Sequence, residues 1–143
     1  MSVSVTQQLT IDASMDTLLG VVRDIAAQPD WWPGMRSSEV LEHDEQGRVV
    51  RARLVNDVKV ARDEFVLRYR HSQTAVDWQL EGTSLAQRSQ TGSWTFTPDG
   101  QRTRATLSLR VETSLPLPGF VQRRVLTATA TDAIRALKEH VEG

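Results

Sequence analysis

Residues 3–35 read VSVTQQLTIDASMDTLLGVVRDIAAQPDWWPGM, and the spacing of their apolar residues changes twice. Over Val3 to Ile11 the apolar residues stand at odd positions, and a period of two is typical of a half-buried strand. Over Met15 to Ala26 the spacing becomes helical. Ser14 supplies an N-cap for that helix. The stretch therefore predicts a strand followed directly by an amphipathic helix.

The helical pattern stops where prolines and tryptophans begin. Pro29 ends the helix at the residue before it, because proline disfavours helical geometry there. Asp30 is expected to cap a second, very short helix, which the following Pro-Gly pair closes. A single turn cannot bury the indoles of Trp31 and Trp32 by itself. We expect them either to plug the core at one end of a sheet or, for one of them, to face an internal pocket.

Six further strands are predicted between Arg36 and Thr113, where the pattern is extended and turn residues recur at fairly even intervals. Their expected ranges are 37–43, 48–55, 61–70, 75–80, 87–97 and 102–113. The connections are too short to hold crossover helices, so the sheet is antiparallel. The first strand is expected to pair with the last, and a sheet of this size usually curls.

The C-terminal segment predicts one long helix. Apolar residues repeat at helical spacing from about Gly119 to Val141, which corresponds to ~35 Å of helix. No other predicted element is long enough to cover the apolar face of the sheet, so we expect the helix across the concave side. A long helix held by a strongly curved sheet touches it poorly along part of its length, and the gap would form an apolar pocket.

Several short motifs, taken in order, resemble one known family. They are IDAS at 11–14, PDWWPG at 29–34, GSWTF at 92–96 with PDG at 98–100, and LPLPGF at 115–120 before the long helix. Together they are similar to the polyketide cyclase/dehydrase and lipid-transport family of the START-like (SRPBCC, birch-pollen-allergen-like) helix-grip superfamily. The resemblance covers nearly the whole chain. It departs at Met15, where relatives often have proline, and at Gln28, where relatives often have an aromatic residue.

The resemblance implies an α+β helix-grip fold, in which a seven-stranded curved antiparallel sheet wraps around a long C-terminal helix and two short helices follow the first strand. It implies one such domain over residues 1–143. Relatives include cyclases, lipid carriers and hormone receptors, so the fold alone does not name the function. We expect binding or transport of a hydrophobic small molecule, lipid-like or polyketide-like. The alternatives are a polyketide cyclase or dehydratase acting in the same cavity, and an interaction domain with little cavity.

In the resembled fold the short second helix lies beside the cavity. Trp32 is expected to face it, with Trp31 as the alternative, because neighbouring residues on a helix point about 100° apart. The candidate ligand-binding residues come from this turn, the inward faces of the strands and the start of the long helix. They are Trp32, Met35, Phe65, Leu67, Tyr69, Trp78, Trp94, Phe96, Phe120, Val121, Val125 and Leu126.

Asp63 is the first acid–base candidate, since strand alternation places it on the same face as Phe65, Leu67 and Tyr69. If that face is concave, Asp63 and Tyr69 are polar groups beside apolar walls, where a cyclase would need them. The alternatives are that Asp63 forms an ordinary cross-strand ion pair with a base such as Arg53, and that Tyr69 bonds a backbone carbonyl. The sequence leaves the catalytic residues unassigned.

Composition and charge argue against several other classes of function. The net charge is −1, with 17 basic and 18 acidic residues, so neither a nucleic acid nor an anionic membrane is an expected partner. The chain has no cysteine, which removes thiolate chemistry and cysteine-based metal sites. Its three histidines lack the spacing of a metal-ligand pair. We therefore expect no metal and no cofactor.

Targeting signals are also missing from the sequence. No stretch approaches ~18 consecutive apolar residues, and the N-terminus lacks the basic start and apolar run of a signal peptide. We expect no stable membrane insertion, a cytoplasmic location, and a monomer or weak homodimer.

Overall fold

A sheet, two α-helices and a 3-10 helix make up the described part of the chain. The computed structural model describes residues 2–58 and 61–143. In chain order the elements are β1 (Val3–Ile11), α1 (Met15–Arg23), the 3-10 helix (Ile25–Asp30), β2 (Met35–His43), β3 (Val49–Val58), β4 (Ala61–His71), β5 (Ala75–Glu81), β6 (Gln87–Asp99), β7 (Arg102–Thr113) and α2 (Gly119–Glu142). The strands and the long helix correspond to the predicted ones.

The strands form one antiparallel sheet in the order β1-β7-β6-β5-β4-β3-β2. Each strand from β2 to β7 lies beside its neighbour in sequence, whereas β1 pairs with β7 in unbroken register from Val3↔Val111 to Ile11↔Thr103. The predicted pairing of the first strand with the last is therefore confirmed. So is the α+β helix-grip class, with a curved seven-stranded sheet and a long C-terminal helix.

The start of α1 agrees with the sequence, but its end does not. Ser14 caps the helix through an Oγ that accepts a hydrogen bond from the Thr17 amide at 3.1 Å. The helix then ends at Arg23 and does not continue to the residue before Pro29. Asp24 leaves helical geometry with a ψ of 76°, as suits a side chain that competes with the helix for backbone hydrogen bonds.

The chain after Asp24 tightens into the 3-10 helix, which contains Pro29 and ends at Asp30. The expectation that Asp30 caps a second helix is therefore wrong. The tighter winding turns Ile25 and Gln28 to the interior. Trp31 and Trp32 follow directly, in the turn that leads to β2.

The concave face of the sheet carries the core, because inward side chains alternate with outward ones along each strand. Trp94 and Phe96 on β6 and Leu107 on β7 are almost fully buried there. α2 packs on β1 and β7. Its buried residues are Leu126, Ala130, Ala133, Ile134 and Leu137. The two alanines let the middle of the helix approach the sheet closely, so this half of the interior is filled.

The fully buried residues of α2 begin at Leu126. Residues 119–125 are half-buried or exposed, and the Phe120 side chain is 68% exposed. The first two turns of α2 therefore leave apolar side chains in contact with solvent.

Gly92 is constrained by its cross-strand partner Trp78. The Trp78 indole lies across the glycine, so a Cβ at position 92 would lie 2.5 Å from Trp78 Nε1 and nearer still to two ring carbons. We expect Gly92→Ala to lower the free energy of unfolding by about 3 kcal/mol, because the overpacked indole must move. Urea unfolding followed by circular dichroism measures the change.

Gly20→Ala on α1 is the matched control, since nothing lies within 4 Å of the added Cβ. Alanine there should raise stability by about 1 kcal/mol through its helix propensity. A Gly92→Ala variant as stable as the Gly20→Ala variant would contradict the close packing of Trp78.

Candidate functional site

A cavity of about 30 Å³ lies between the concave face of the sheet, α1 and the 3-10 helix. This is enough room for water but far too little for a drug-sized ligand. Seven of the twelve candidate residues line it, namely Trp32, Met35, Phe65, Leu67, Tyr69, Trp78 and Trp94. The sequence predicts a cavity between the sheet and the C-terminal helix, but the helical walls of this cavity come from Val22, Ile25 and Gln28.

The other candidate residues lie elsewhere. Phe96 is buried behind Trp94, with parallel rings whose centroids are 6.3 Å apart. Phe120 and Val125 are 68% and 51% exposed, so their expected place in a helix wall is wrong. Val121 is half-buried, and Leu126 is buried but does not line the cavity. The physical reason is that the fully buried residues of α2 begin only at Leu126.

Four indoles pack together beside the cavity. Trp31 and Trp32 pack with ring centroids 5.8 Å apart, and each lies 6.1 Å from Trp94. Trp32 also meets Trp78 edge-on at 6.5 Å. Trp31 turns the other way and stacks on His140 of α2 at 6.3 Å. Trp32 therefore lines the cavity, whereas Trp31 connects the turn to α2.

Four residues of the cavity wall have a buried polar atom without a hydrogen-bond partner in the described part of the chain. The atoms are Gln28 Oε1, Asn56 Oδ1, Tyr69 Oη and the indole nitrogen Nε1 of Trp94. A buried polar atom left unpaired costs roughly 1–3 kcal/mol. The amide oxygens accept hydrogen bonds, and the phenol can donate or accept one. The cavity thus joins apolar walls to groups that can bind a polar atom of a ligand.

Sequence reasoning missed most of this polar lining. Gln28 could have been suspected as a polar wall residue, because it stands where relatives often have an aromatic residue. Asn56 falls in a predicted turn, but β3 runs through it to Val58 and pairs it with Met35. That pairing carries Asn56 to the cavity wall. Gln90 shares its face of β6 with Trp94 and Phe96, so strand alternation was the signal that could have placed it at the cavity.

Tyr69 is the ionisable group that lines the cavity. The side chain is 5% exposed, and burial raises the pKa of its phenol. The cause is desolvation, which disfavours the phenolate. At neutral pH Tyr69 therefore presents a neutral O–H to the cavity.

Asp63 is buried, but it binds a loop and not the cavity. Its Oδ1 accepts from the Ala86 amide at 3.1 Å, and its Oδ2 accepts from Ser84 Oγ and Gln87 Nε2, both at 2.9 Å. All three donors belong to the connection from β5 to β6 or to the first residue of β6. Asp63 therefore fixes this connection against β4.

Arg53 does not pair with Asp63, so the expected ion pair is wrong. Its Nη1 donates to Glu39 Oε1 at 2.7 Å, with both side chains well exposed. Arg53 and Asp63 stand on opposite faces of the sheet because one is at an outward position of β3 and the other at an inward position of β4. An acid–base role for Asp63 finds no geometric support, since its oxygens are occupied by loop donors.

A wider depression crosses the outer face of the sheet. Its volume is about 800 Å³, and residues of all seven strands line it. Its walls are outward polar side chains such as Ser108, Ser93 and Asp77. It is open to solvent, whereas small-molecule sites usually bury most of their ligand between apolar walls. We therefore assign the candidate site to the inner cavity, although it is smaller.

Two further features bear on function. Residues 2–58 and 61–143 hold no group of three or more histidine, aspartate or glutamate side chains that could bind a metal ion. None of the helices in the same ranges is long and apolar enough to cross a membrane.

The curved sheet, the long terminal helix and the inner cavity define a helix-grip protein. The chain belongs to the polyketide cyclase/dehydrase and lipid transport family, whose sequence profile matches residues 2–142. This confirms the resemblance found in the motifs. No curated protein matches the chain by sequence.

Solved structures show the same fold. A START superfamily protein from Mycobacterium smegmatis superposes with a TM-score of 0.90 at 23% identity, covering 97% of both chains. The Zhui aromatase/cyclase from a Streptomyces species superposes with a TM-score of 0.83 at 20% identity, covering 99% of this chain and 94% of that one. A STAR-related lipid transfer protein from Xanthomonas axonopodis gives 0.74 at 17% identity, over 98% and 86%.

The chain has one tyrosine, so its ionisation can be followed without interference from others. We expect the absorbance of tyrosinate near 295 nm to stay absent around pH 10, the usual phenol pKa, and to rise only at higher pH or on unfolding. Because the folded pKa is raised, the unfolded chain loses this proton first. Stability should therefore fall as the pH rises above about 10. A normal titration curve of the folded protein would contradict the burial of Tyr69.

Asp63 should act on stability and not on binding. We expect Asp63→Ala to lower the free energy of unfolding by about 3 kcal/mol, because it leaves several buried donors unpaired. Arg53→Ala, which removes an exposed pair, should change it by less than about 1 kcal/mol. Chemical unfolding of the two variants makes the comparison. Equal losses would mean that the Asp63 hydrogen bonds do not hold the β5–β6 connection.

Proposed function

We propose that the chain binds a hydrophobic small molecule, lipid-like or polyketide-like, that carries at least one hydrogen-bonding group. The proposal rests on the unpaired buried atoms of Gln28, Asn56 and Tyr69, set among apolar and aromatic walls. Buried polar groups in folded proteins nearly always have a partner. A ligand hydroxyl or carbonyl beside these three atoms would supply one.

Binding requires the cavity to enlarge, since it measures about 30 Å³ and ligand pockets measure roughly 300–1,000 Å³. Trp32 is the side chain whose movement would make this space. It lies in the turn between the 3-10 helix and β2, with 9% of its surface exposed. Its indole can therefore turn toward solvent without breaking a strand.

The family supports the binding of a hydrophobic molecule but does not indicate which molecule. Its description joins polyketide cyclisation and dehydration to lipid transport, and both activities handle hydrophobic molecules. Structural neighbours named for a function include an aromatase/cyclase and a lipid transfer protein. A cytoplasmic location and a monomer or weak homodimer stay predictions from the sequence.

A second candidate function is cyclisation or dehydration of a polyketide-like substrate. One observation favours it: Tyr69 presents a neutral phenol to the cavity. A phenol held there can donate a hydrogen bond to a ketone oxygen and so stabilise an enolate as it forms. Asp63 would not take part, because its oxygens bind the β5–β6 connection.

The matched probes 2-naphthol and naphthalene, which differ by one hydroxyl, test the binding proposal. In Tyr69→Phe we expect the ratio of their affinities to shift by about fivefold against 2-naphthol, since a net hydrogen bond is worth about 1 kcal/mol. Naphthalene should bind as before. Isothermal titration calorimetry measures both. An unchanged ratio would remove Tyr69 as a ligand partner, and no binding of either probe to the native chain would overturn the proposal.

Trp32→Ala is expected to strengthen the binding of both probes by about tenfold, because the indole no longer has to be displaced. Trp31→Ala is the control, since Trp31 stacks on His140 and does not line the cavity. Weaker binding by Trp32→Ala would mean that Trp32 is a fixed wall of the site and does not move aside for the ligand.

Turnover separates the enzyme from the carrier. Turnover of a poly-ketone substrate that is lost in Tyr69→Phe would favour the enzyme.

A further inference from the structure

Four large apolar side chains are exposed near the N-terminal end of α2. Leu85 lies in the β5–β6 connection, Leu117 precedes α2, and Phe120 and Val125 lie in its first two turns. Their exposed fractions run from 37% for Leu117 to 68% for Phe120. Exposed apolar groups that collect in one place mark an interaction surface more often than single ones do.

Backbone hydrogen bonds hold the two segments side by side. The Ser114 amide donates to the Ala86 carbonyl at 3.1 Å, and Ser114 Oγ donates to the Leu85 carbonyl at 2.6 Å. Gln122 Nε2 donates to the Leu117 carbonyl at 2.6 Å, which holds the connector against α2. We refer to residues 82–88 and 114–125 together as the apolar end.

The apolar end is also cationic. Residues 113–131 include Arg123 and Arg124 and no acidic residue, and residues 82–98 include Arg88 and no acidic residue. Arg88 reaches Glu112 at 3.9 Å. Arg123 and Arg124 are exposed and form no ion pair within residues 2–58 and 61–143. A chain whose net charge is −1 therefore gathers unpaired positive charge where its apolar side chains are exposed.

We propose that the apolar end docks on the surface of an anionic lipid bilayer. Exposed Phe and Leu side chains can enter the boundary between headgroups and acyl chains, and nearby arginines bind anionic headgroups. A second copy of the chain fits less well. A two-fold contact brings the same patch of both copies together, so the arginines would face one another with no acidic residue of the patch between them.

The net charge of the whole chain gives no reason to expect a membrane as partner, whereas the local positive charge of the apolar end does. The fold explains the difference, since it brings together two segments without acidic residues that are about 30 positions apart in sequence. Docking of this kind is peripheral and needs no spanning helix. It also stands without the proposed ligand site, because it concerns the surface of the ligand-free chain.

Vesicle co-sedimentation of the full chain tests the proposal. We expect binding to vesicles of phosphatidylcholine with about 30% phosphatidylserine and much weaker binding to phosphatidylcholine alone. Arg123→Gln with Arg124→Gln should weaken binding by about 30-fold, from the loss of two charges near the surface. Arg135→Gln is the matched control on the same helix, exposed but outside the apolar end, and should bind as the native chain does. Salt should weaken binding through screening.

A label reports insertion directly, because the native chain has no cysteine. An environment-sensitive dye on Phe120→Cys should shift to the blue with anionic vesicles, whereas the same dye on the exposed Glu139→Cys should not. Failure of the native chain to sediment with anionic vesicles would overturn the proposal, as would an unchanged affinity of the double arginine variant. Concentration-dependent dimerisation abolished by Leu117→Ser with Phe120→Ser, without vesicle binding, would assign the apolar end to self-association instead.

Discussion

Two indoles from the turn before β2 cover the part of the concave sheet that α2 leaves bare. α2 lies on β1 and β7, whereas Trp31 and Trp32 pack against Trp94 of β6, and Trp32 also meets Trp78 of β5. Removing a buried tryptophan typically costs 3–5 kcal/mol. The turn is therefore part of the hydrophobic core and not a surface loop. Of its two indoles, Trp32 also forms part of the wall of the small cavity.

The same packing would limit how tightly a ligand binds. If Trp32 must turn outward first, the competent conformer is populated only in proportion to the free energy of that movement. A cost of about 1.4 kcal/mol would lower the apparent affinity by roughly tenfold. A ligand that replaces the lost apolar contacts and also pairs Tyr69 Oη or Asn56 Oδ1 would recover the most. The small cavity therefore favours ligands that supply both the apolar contacts and the hydrogen bond.

The sequence predicted the sheet better than it predicted the cavity. Phe65, Leu67 and Tyr69 were placed on the inward face because a period of two admits only two faces, and one of them had to be buried. Phe120 and Val125 were misplaced because helical spacing gives the apolar face but not the point at which the helix first meets the sheet. That point depends on the curvature of the sheet, which sequence periodicity does not specify.

The size of the cavity could not be predicted from the sequence for a different reason. It depends on side-chain rotamers, and a single indole that points inward or outward changes the volume greatly. Asn56 was missed because a turn signal placed β3 two or three residues too short. Asp63 was placed correctly on the inward face, but its loop partners lie more than twenty residues away in sequence. Contacts of that range cannot be inferred from local spacing.

The hydrogen-bond network beside the cavity indicates which indole is free to move. Trp78 Nε1 donates to Gln90 Oε1 at 2.9 Å, Gln90 is bonded to Gln87, and Gln87 donates to Asp63. A network whose members are paired in this way is rigid, and Gly92 lies under the Trp78 ring as well.

The remaining indoles are held to different degrees. Trp94 is 1% exposed in mid-strand, and Trp31 stacks on His140. Trp32 is held by ring contacts to its neighbours and by a turn that Gly34 closes with a φ of 82°. Ring contacts of this kind contribute about 0.5–1.5 kcal/mol each beyond burial. Among the three indoles that line the cavity, Trp32 is therefore the one that can leave its place at the lowest cost, and the residues around it keep the shape of the cavity when it moves.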